Sequence, residues 1–355
     1  MNGIATQSLE GEEKEKTREE TQRLAAVSLE CLVSSFRVQL KTQNSEPETL
    51  KVRYSARFLN LTRKTPIGYA RWEMESKIQR MSRSLYVMIG PEGATNFGIV
   101  KASDGIAVLI DADIRRIDEV EEALKLSGCA EVKYLVNTHE HFDHTSANFY
   151  FNRRGVPIVA SEGCLRAMKE DGEQDFTRML APEPAIYDRF PGLKMTLPDV
   201  VFADATKLTL PGVTLHLKYC AQHGHSHSKG DATLYFEEDD VLIVGDLLYT
   251  EVHPVTFFGN IPNWLQSLKP LFEMHYKQLV PGHGPAVDDE QTGREYFKRM
   301  YDYLEDFHGH LLEIKSGRRS ADEVADHMLS GNYASLGKTR MVRRNIQQFL
   351  TGKWY

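Results

Sequence analysis

Residues 137–144 read Asn-Thr-His-Glu-His-Phe-Asp-His, so three histidines and an aspartate fall within six positions directly after the apolar run 134–136. No other feature narrows the possible folds as far. Side chains two apart on extended backbone project to the same side, so His139 and His141 are placed to grip one cation. Asp143 and His144 then point elsewhere and are placed to hold a second ion beside the first. Imidazole and carboxylate donors suit Zn²⁺, and also Fe or Mn.

Further ligands are expected where other strands run out, because sites on layered α/β folds are assembled from loops at one sheet edge. Three places fit. Gln222-His223-Gly224-His225-Ser226-His227 follows the strand-like run 213–219, Gly245-Asp246 follows 241–244, and Pro281-Gly282-His283-Gly284 follows 278–280. Glycine lets the backbone turn sharply beside a ligand.

The remaining pattern supports an α/β assignment. Runs 85–89, 97–100 and 106–110 are rich in β-branched and aromatic residues and are separated by Pro-Glu-Gly and Ser-Asp-Gly turn signals, so they predict consecutive strands. Strand signals at 134–136, 157–160, 213–219, 232–236, 241–244 and 278–280 then alternate with helical ones at 117–126, 162–169 and 264–272. That mixed order indicates sheets covered by helices. Residues 1–20 form a polar, charged arm, 19–40 predict a helix, and 41–80 lack clean periodicity and are expected to pack on the main domain. From Asp289 the chain is helical, with good helix formers over 290–312, a capping box from Ser320 to Glu323, and a last helix over 341–350. The expected division is an N-terminal extension (1–83), a catalytic domain (84–288) and a helical tail (289–355).

Composition removes whole classes. With 41% hydrophobic and 26% charged residues in 355, a disordered or fibrous chain is excluded. Lys and Arg number 43 against 50 Asp and Glu, and the net charge of −7 offers no general attraction to nucleic acid or an anionic membrane. No apolar run approaches the roughly 18 residues of a membrane span. The first twenty residues show no basic segment followed by an apolar core, so a cytoplasmic location is expected. Four cysteines without a Cys-x-x-Cys pair argue against a disulfide framework or a thiolate zinc site. The expected partner is a small-molecule substrate, with no nucleic acid and no membrane, and with a homo-oligomer left open.

Thr138-His139-Glu140-His141-Phe142-Asp143-His144, His227-Ser228-Lys229-Gly230-Asp231, Gly245-Asp246-Leu247-Leu248 and Pro281-Gly282-His283-Gly284 occur in this order. In that combination the chain resembles the metallo-β-lactamase-fold hydrolase superfamily over residues 84–288, in the broad branch with a C-terminal helical tail. The resemblance implies a four-layer αββα fold. It also implies two Zn²⁺ ions, Fe or Mn being the other choices: one held by His139, His141 and His227, the other by Asp143, His144 and His283, with Asp246 bridging. The family pattern sets the ligand histidine three residues before a glycine, which favours His227 over His225. His223 and His225 are then pocket-lining or supporting residues, or merely solvent-exposed.

Asp143 and Asp246 are the catalytic carboxylates of this scheme. Two divalent ions carry four positive charges and these carboxylates offset two, leaving room for a bridging hydroxide and an anionic intermediate. Zinc lowers the pKa of bound water towards about 7, so neither a serine nor a cysteine nucleophile is required. Asp111, which ends the 106–110 strand, is expected to orient a ligand imidazole or the ligand loop. Tyr249 and His253 are candidates for hydrogen bonds to a substrate oxygen, each with an equal claim to a structural role, and Cys220 reads as a buried strand thiol.

The implied activity is hydrolysis of an ester-like bond, a thioester, lactone or amide, in a small organic substrate. An iron-dependent, oxygen-using enzyme of the persulfide dioxygenase kind is the alternative within the fold. The flavodiiron pattern has Glu where His141 stands, which speaks against that branch. The superfamily's nucleases carry a large inserted domain, whereas only 36 residues separate Asp246 from His283. Phe176, Met179, Tyr187, Phe190, Phe257, Phe258 and Trp264, in or near loops 171–198 and 250–264, either contact an apolar substrate part or belong to the core.

Overall fold

The computed structural model describes residues 49–56, 72–221, 224–256 and 258–352. The polar arm, the helix at 19–40, most of the segment 41–80, His223 and Phe257 lie outside the described residues. Contacts divide the chain into two units, residues 1–39 with 53–74 and residues 40–52 with 75–355. The helices and the site described below belong to the second.

One sheet has eight strands in chain order: β1 (Thr49–Ala56), β2 (Trp72–Arg80), β3 (Leu85–Ile89), β4 (Phe97–Lys101), β5 (Ile106–Ile110), β6 (Glu131–Val136), β7 (Ile158–Ser161) and β8 (Val200–Phe202). The other has five, in the order β13 (Gln278–His283), β12 (Val241–Tyr249), β11 (Ala232–Phe236), β10 (Val213–Tyr219) and β9 (Ala205–Leu210). Short turns join β2 to β3, β4 to β5, β9 to β10 and β11 to β12, whereas β10 and β11 are joined by the longer loop 220–231. Pairing is antiparallel from β2 to β5 and parallel from β5 to β8, where the connections lengthen to hold helices such as α1 (Ile117–Leu126). The last pair, β12 with β13, is also parallel, and its crossover carries α2 (Ile261–Phe272).

Alternation along each strand sends side chains into two separate apolar layers. Val87, Val100, Val108, Ile110 and Val136 of the first sheet meet Leu215, Leu217, Leu234, Phe236 and Ile243 of the second in one buried cluster. Leu242 and Val244 face the other way, against Trp264 and Leu268 of α2 and against three helices of the tail. These are α3 (Glu290–Lys315), α4 (Ala321–Met328) and α5 (Arg340–Thr351), which contribute Phe297, Tyr303, Phe307, Val324, Val342 and Ile346. With both faces covered, every residue of β12 is buried. Helix α1 packs on β4, which completes the order helix, sheet, sheet, helix. Asp289 caps α3 by accepting from the Thr292 amide, and the Ser320–Glu323 capping box opens α4.

The tail also grips the loop that leaves β12. Asn345 of α5, fully buried, accepts from the Thr256 amide at 3.0 Å and donates to the Pro254 carbonyl at 2.9 Å. The Gly337 amide donates to the Glu251 carbonyl, and the Gly337 carbonyl accepts from the His253 amide.

Two strands differ from the sequence expectation. β12 and β13 do not stop at Val244 and Val280 but run on to Tyr249 and His283, so Asp246 and His283 sit within strands rather than in loops after them. Pairing across them shifts register between Gly245 and Tyr249, a break that apolar periodicity does not reveal. Strands β8 and β9 and two short helices, Glu173–Leu180 and Ala185–Arg189, also lack a strong sequence signal. β9 is an exposed edge strand whose Thr206, Lys207 and Thr209 carry no apolar period.

Phe307 is fully buried where α3 meets the other tail helices. Phe307→Ala is expected to lower unfolding free energy by about 3–5 kcal/mol, read as a reduced midpoint in urea.

Candidate metal centre

The ends of β5, β6, β12 and β13 and the loop after β10 meet at one edge of the two sheets. At its heart is Asp111, which follows β5 with φ 56°, a left-handed conformation uncommon outside glycine. Its carboxylate accepts from the Thr138 amide (2.7 Å), the Thr138 hydroxyl (2.7 Å) and His144 Nδ1 (2.9 Å). One side chain thus locks the β5 turn to the motif that leaves β6. From Thr138 to Glu140 the chain bends, it is extended at His141, and it then turns into a short helix, Phe142–Thr145. That turn sends His139 and His141 to one side and Asp143 and His144 to the other.

Ligand atoms of His139, His141, His227 and Asp246 lie within 4.8 Å of one another, and so do those of Asp143, His144 and His283. His141 Nδ1 is 3.0 Å from His139 Nε2 and 2.9 Å from His227 Nε2. Asp246 stands between the groups: its Oδ2 is 3.4 Å from His227 Nε2 and 3.2 Å from His283 Nε2, and its Oδ1 is 3.3 Å from His144 Nε2. All seven residues predicted from the sequence are therefore brought together. His225 is not; its Nε2 pairs with the Phe258 carbonyl.

Outer hydrogen bonds set which nitrogen of His139, His144 and His283 faces inward. His144 donates Nδ1–H to Asp111 and His283 donates Nδ1–H to the Gly93 carbonyl at 2.9 Å. His139 Nδ1 is 3.0 Å from the Thr138 hydroxyl, whose own proton goes to Asp111, so this ring too must donate from Nδ1. Each then presents a bare Nε2 lone pair to the interior. His144 Nε2 and Asp246 Oδ1 are buried without a hydrogen-bond partner. Converging lone pairs and carboxylate oxygens repel one another; a proton on His144 relieves part of this in the metal-free chain, and divalent cations satisfy the whole set. The nitrogen and oxygen donor set thus fits the metals expected from the sequence.

Burial and neighbouring charge separate the protonation of these groups. Burial holds His139 and His141 well below the usual imidazole range and His227 at about 4. For His144, burial is overcome by Asp246, Asp111 and Asp143, which raise it well above that range. Asp143 and Asp246 are held below the ordinary carboxylate range; burial opposes this, and the nearby His144 and His283 outweigh it.

Supporting residues outnumber those visible in the motif. Tyr249 does not face open solvent but donates its hydroxyl to Asp246 Oδ2 at 2.5 Å and stacks on His283 with ring centroids 4.9 Å apart. His253 is buried with Nδ1 against the Tyr303 hydroxyl, which gives it a structural partner. Cys220 is half-buried beside Thr233 and Lys218 rather than in the cluster. Sequence reading passed over Glu140, whose carboxylate accepts from the Lys229 and Gly230 amides and so fixes the loop bearing His227. It also passed over Thr95, which donates to Asp143 at 2.5 Å, and Lys338, whose ammonium lies 3.2 Å from His283 Nδ1. Glu140 carried a signal by standing between two ligands. Thr95 and Lys338 lie in segments without a motif.

Gly282 is dictated by the site: a Cβ there would come within 1.9 Å of Asp246 Oδ1. Of the aromatics noted in the sequence, Phe258 lies against His141 with ring centroids 4.0 Å apart. Phe176 and Trp264 are core residues, packed on Phe142 and His227 respectively.

Residues 90–283, more than half the chain, match the family model described as the metallo-beta-lactamase superfamily. The chain belongs to that superfamily. A curated relative from Caenorhabditis elegans, Beta-lactamase-like protein 2 homolog, is 23% identical over 189 residues, which are 51% of this chain and 53% of the relative. The chain thus aligns with about half the length of that relative. Among solved structures, a metallo-beta-lactamase from Pontibacter korlensis superposes with TM-score 0.52 and 21% identity, covering 65% of this chain and 99% of that one. A double mutant of the sec-alkyl sulfatase PisA1 superposes with TM-score 0.57 and 17% identity, covering 78% of this chain and 50% of that one. At such identity these structures speak to the fold, which is the four-layer arrangement expected from the sequence.

Asp111→Ala removes the acceptor that orients His144 and Thr138. It is expected to weaken metal binding about 10–100-fold in a competition against a chelator of known affinity. A pH dependence follows for metal-free protein. His139, His141 and His227 have depressed folded values, so their contribution is present above about 6.5 and is lost as pH falls, for His227 through about 4. His144, raised, contributes below about 6.5 and loses that contribution as pH rises through its folded value. Below about 6.5 the His144 contribution is constant, so the three depressed groups set the slope and the urea midpoint of metal-free protein is expected to fall as pH drops from 6.5 to 4.

Proposed function

We propose that this chain is a dinuclear metal-dependent hydrolase acting on an ester-like bond, a thioester, lactone or amide, of a small organic substrate. The observation that carries the reading is the convergence of five inward-facing imidazoles and two carboxylates, split into two groups that share Asp246. His139, His141 and His227 would hold one ion, Asp143, His144 and His283 the other, and Asp246 would touch both. Bound there, Zn²⁺, or Fe or Mn, would supply a water ionised near neutral pH and a Lewis acid for the substrate oxygen.

The chain's own side chains do the rest. Asp111, Gly93 and Thr138 keep three ligand rings in the tautomer whose inner nitrogen is bare. Tyr249, its pKa pushed well above the usual phenol value first by burial and then by Asp246, stays protonated and holds that carboxylate in place. Phe258 over His141 supplies an apolar wall beside the first group of ligands. Asp143, with 28% of its side chain exposed, marks the open side from which substrate would arrive. The names of the similar proteins, a lactamase-like protein, a metallo-beta-lactamase and an alkyl sulfatase, agree with hydrolysis and leave the substrate open. Among the described residues no helix is long and apolar enough to cross a membrane.

Elemental analysis of purified protein, coupled to a hydrolysis screen over thioesters, lactones, β-lactams and phosphodiesters, tests the reading. About two metal ions per chain are expected. His139→Ala should lower both metal content and turnover, the latter by more than the roughly 100-fold typical of outer partners alone. Fewer than one metal per chain, together with unchanged turnover in His139→Ala, would defeat it. Oxygen consumption in place of hydrolysis would transfer the site to iron chemistry.

A further inference from the structure

A second cluster of ligand-type side chains lies in the helical tail, on residues the hydrolytic centre does not use. Asp306 and His310 stand four apart on α3 and therefore share a face. His327 comes from α4. His310 Nε2 is 3.1 Å from Asp306 Oδ1, and His327 Nε2 is 3.1 Å from Asp306 Oδ2. The two rings are 4.4 Å apart, and the three ligand atoms lie within 4.8 Å of one another. Zinc bonds of roughly 2.0–2.2 Å in a tetrahedron place neighbouring donors roughly 3.3 Å apart, close to the spacing already present.

The outer contacts point the same way. His310 Nδ1 is 2.8 Å from the Glu313 carboxylate, an arrangement that holds Nδ1–H and turns the Nε2 lone pair inward. That lone pair then meets an oxygen of Asp306, and two acceptors in contact require a positive charge between them, which a metal ion or a second ring proton supplies. Arg319 also approaches His310 Nδ1, at 2.9 Å, and lies 3.7 Å from Glu313. When Glu313 takes the ring proton, Arg319 pairs with Glu313 instead. The Tyr333 hydroxyl donates to Asp306 Oδ2 at 3.1 Å and steadies the carboxylate. All three ligand side chains are partly exposed, so an ion can reach them from solvent.

We propose that Asp306, His310 and His327 form an additional zinc site that clips α4 to α3, with water completing the coordination. Its place in the fold gives it a consequence. The tail that follows α4 supplies Gly337 and Asn345, whose hydrogen bonds hold the loop leaving β12. A clip on α4 thus firms the same tail that steadies one wall of the hydrolytic centre. The competing arrangement needs no metal: each histidine donates Nε2–H to its own oxygen of Asp306, and Arg319 donates to His310 Nδ1.

Full-length protein is dialysed against Zn²⁺ alone, analysed for metal and melted with and without added zinc. Wild type should hold one zinc ion more than the double variant His310→Gln with His327→Gln, whose amides keep donors toward Asp306. Added zinc should raise the Tm of wild type by several degrees more than that of the double variant, with hydrolysis equal in both. Should the double variant fail to fold, His327→Gln alone, at the more exposed position, is expected to show the same loss of one zinc. Equal zinc content and equal Tm shifts would overturn the proposal and leave Asp306 as the acceptor of a hydrogen-bonded cluster only.

Discussion

Five imidazoles and two carboxylates share one buried space at the edge of two sheets, and the rest of the architecture answers to that crowding. Unpartnered lone pairs in a medium of low polarity are costly, more so when several face one another. Here the cost is met in two ways. Outer hydrogen bonds pin the rings of His139, His144 and His283 so that the inner nitrogen of each has a single direction, and the inner atoms are arranged as donors to cations. Asp111 shows how tightly the two are linked, since the same carboxylate that orients His144 also anchors the Thr138 turn that delivers His139.

That arrangement needs rigid support on both faces. The apolar layer between the sheets fixes β5, β6, β12 and β13 against one another, and the layer beneath the second sheet ties β12 to the tail helices. The tail is therefore part of the same mechanical unit as the site. The side-chain amide of buried Asn345 and the backbone of Gly337 hold the loop after β12 by hydrogen bonds to its backbone, which have direction where apolar packing has none.

The site was legible because its ligands are chemically conspicuous. Three histidines and an aspartate after an apolar strand, with glycine-flanked histidines and an aspartate after later ones, leave little else to explain them. The preference for His227 over His225 came from spacing to Gly230, and the fold supplies the reason: Glu140 clamps the Lys229 and Gly230 amides and so turns His227 inward. Thr95 and Lys338 were not legible. Each reaches the site across a long stretch of chain, and one threonine or lysine has no local pattern to mark it. The lengths of β12 and β13 were misjudged for a related reason, because the strands continue through Gly245, Asp246 and Gly282, residues that local propensity assigns to loops.

What the sequence determined by itself was the list of donors, the strand that presents the first of them, and the layered α/β class, because residue type and period are local properties. Only the tertiary structure decided which nitrogen of each ring faces inward, which carboxylate lies between the two groups, and that the Tyr249 hydroxyl meets Asp246. Those outcomes depend on distances between segments far apart in the chain, and such distances are set by how two apolar layers close.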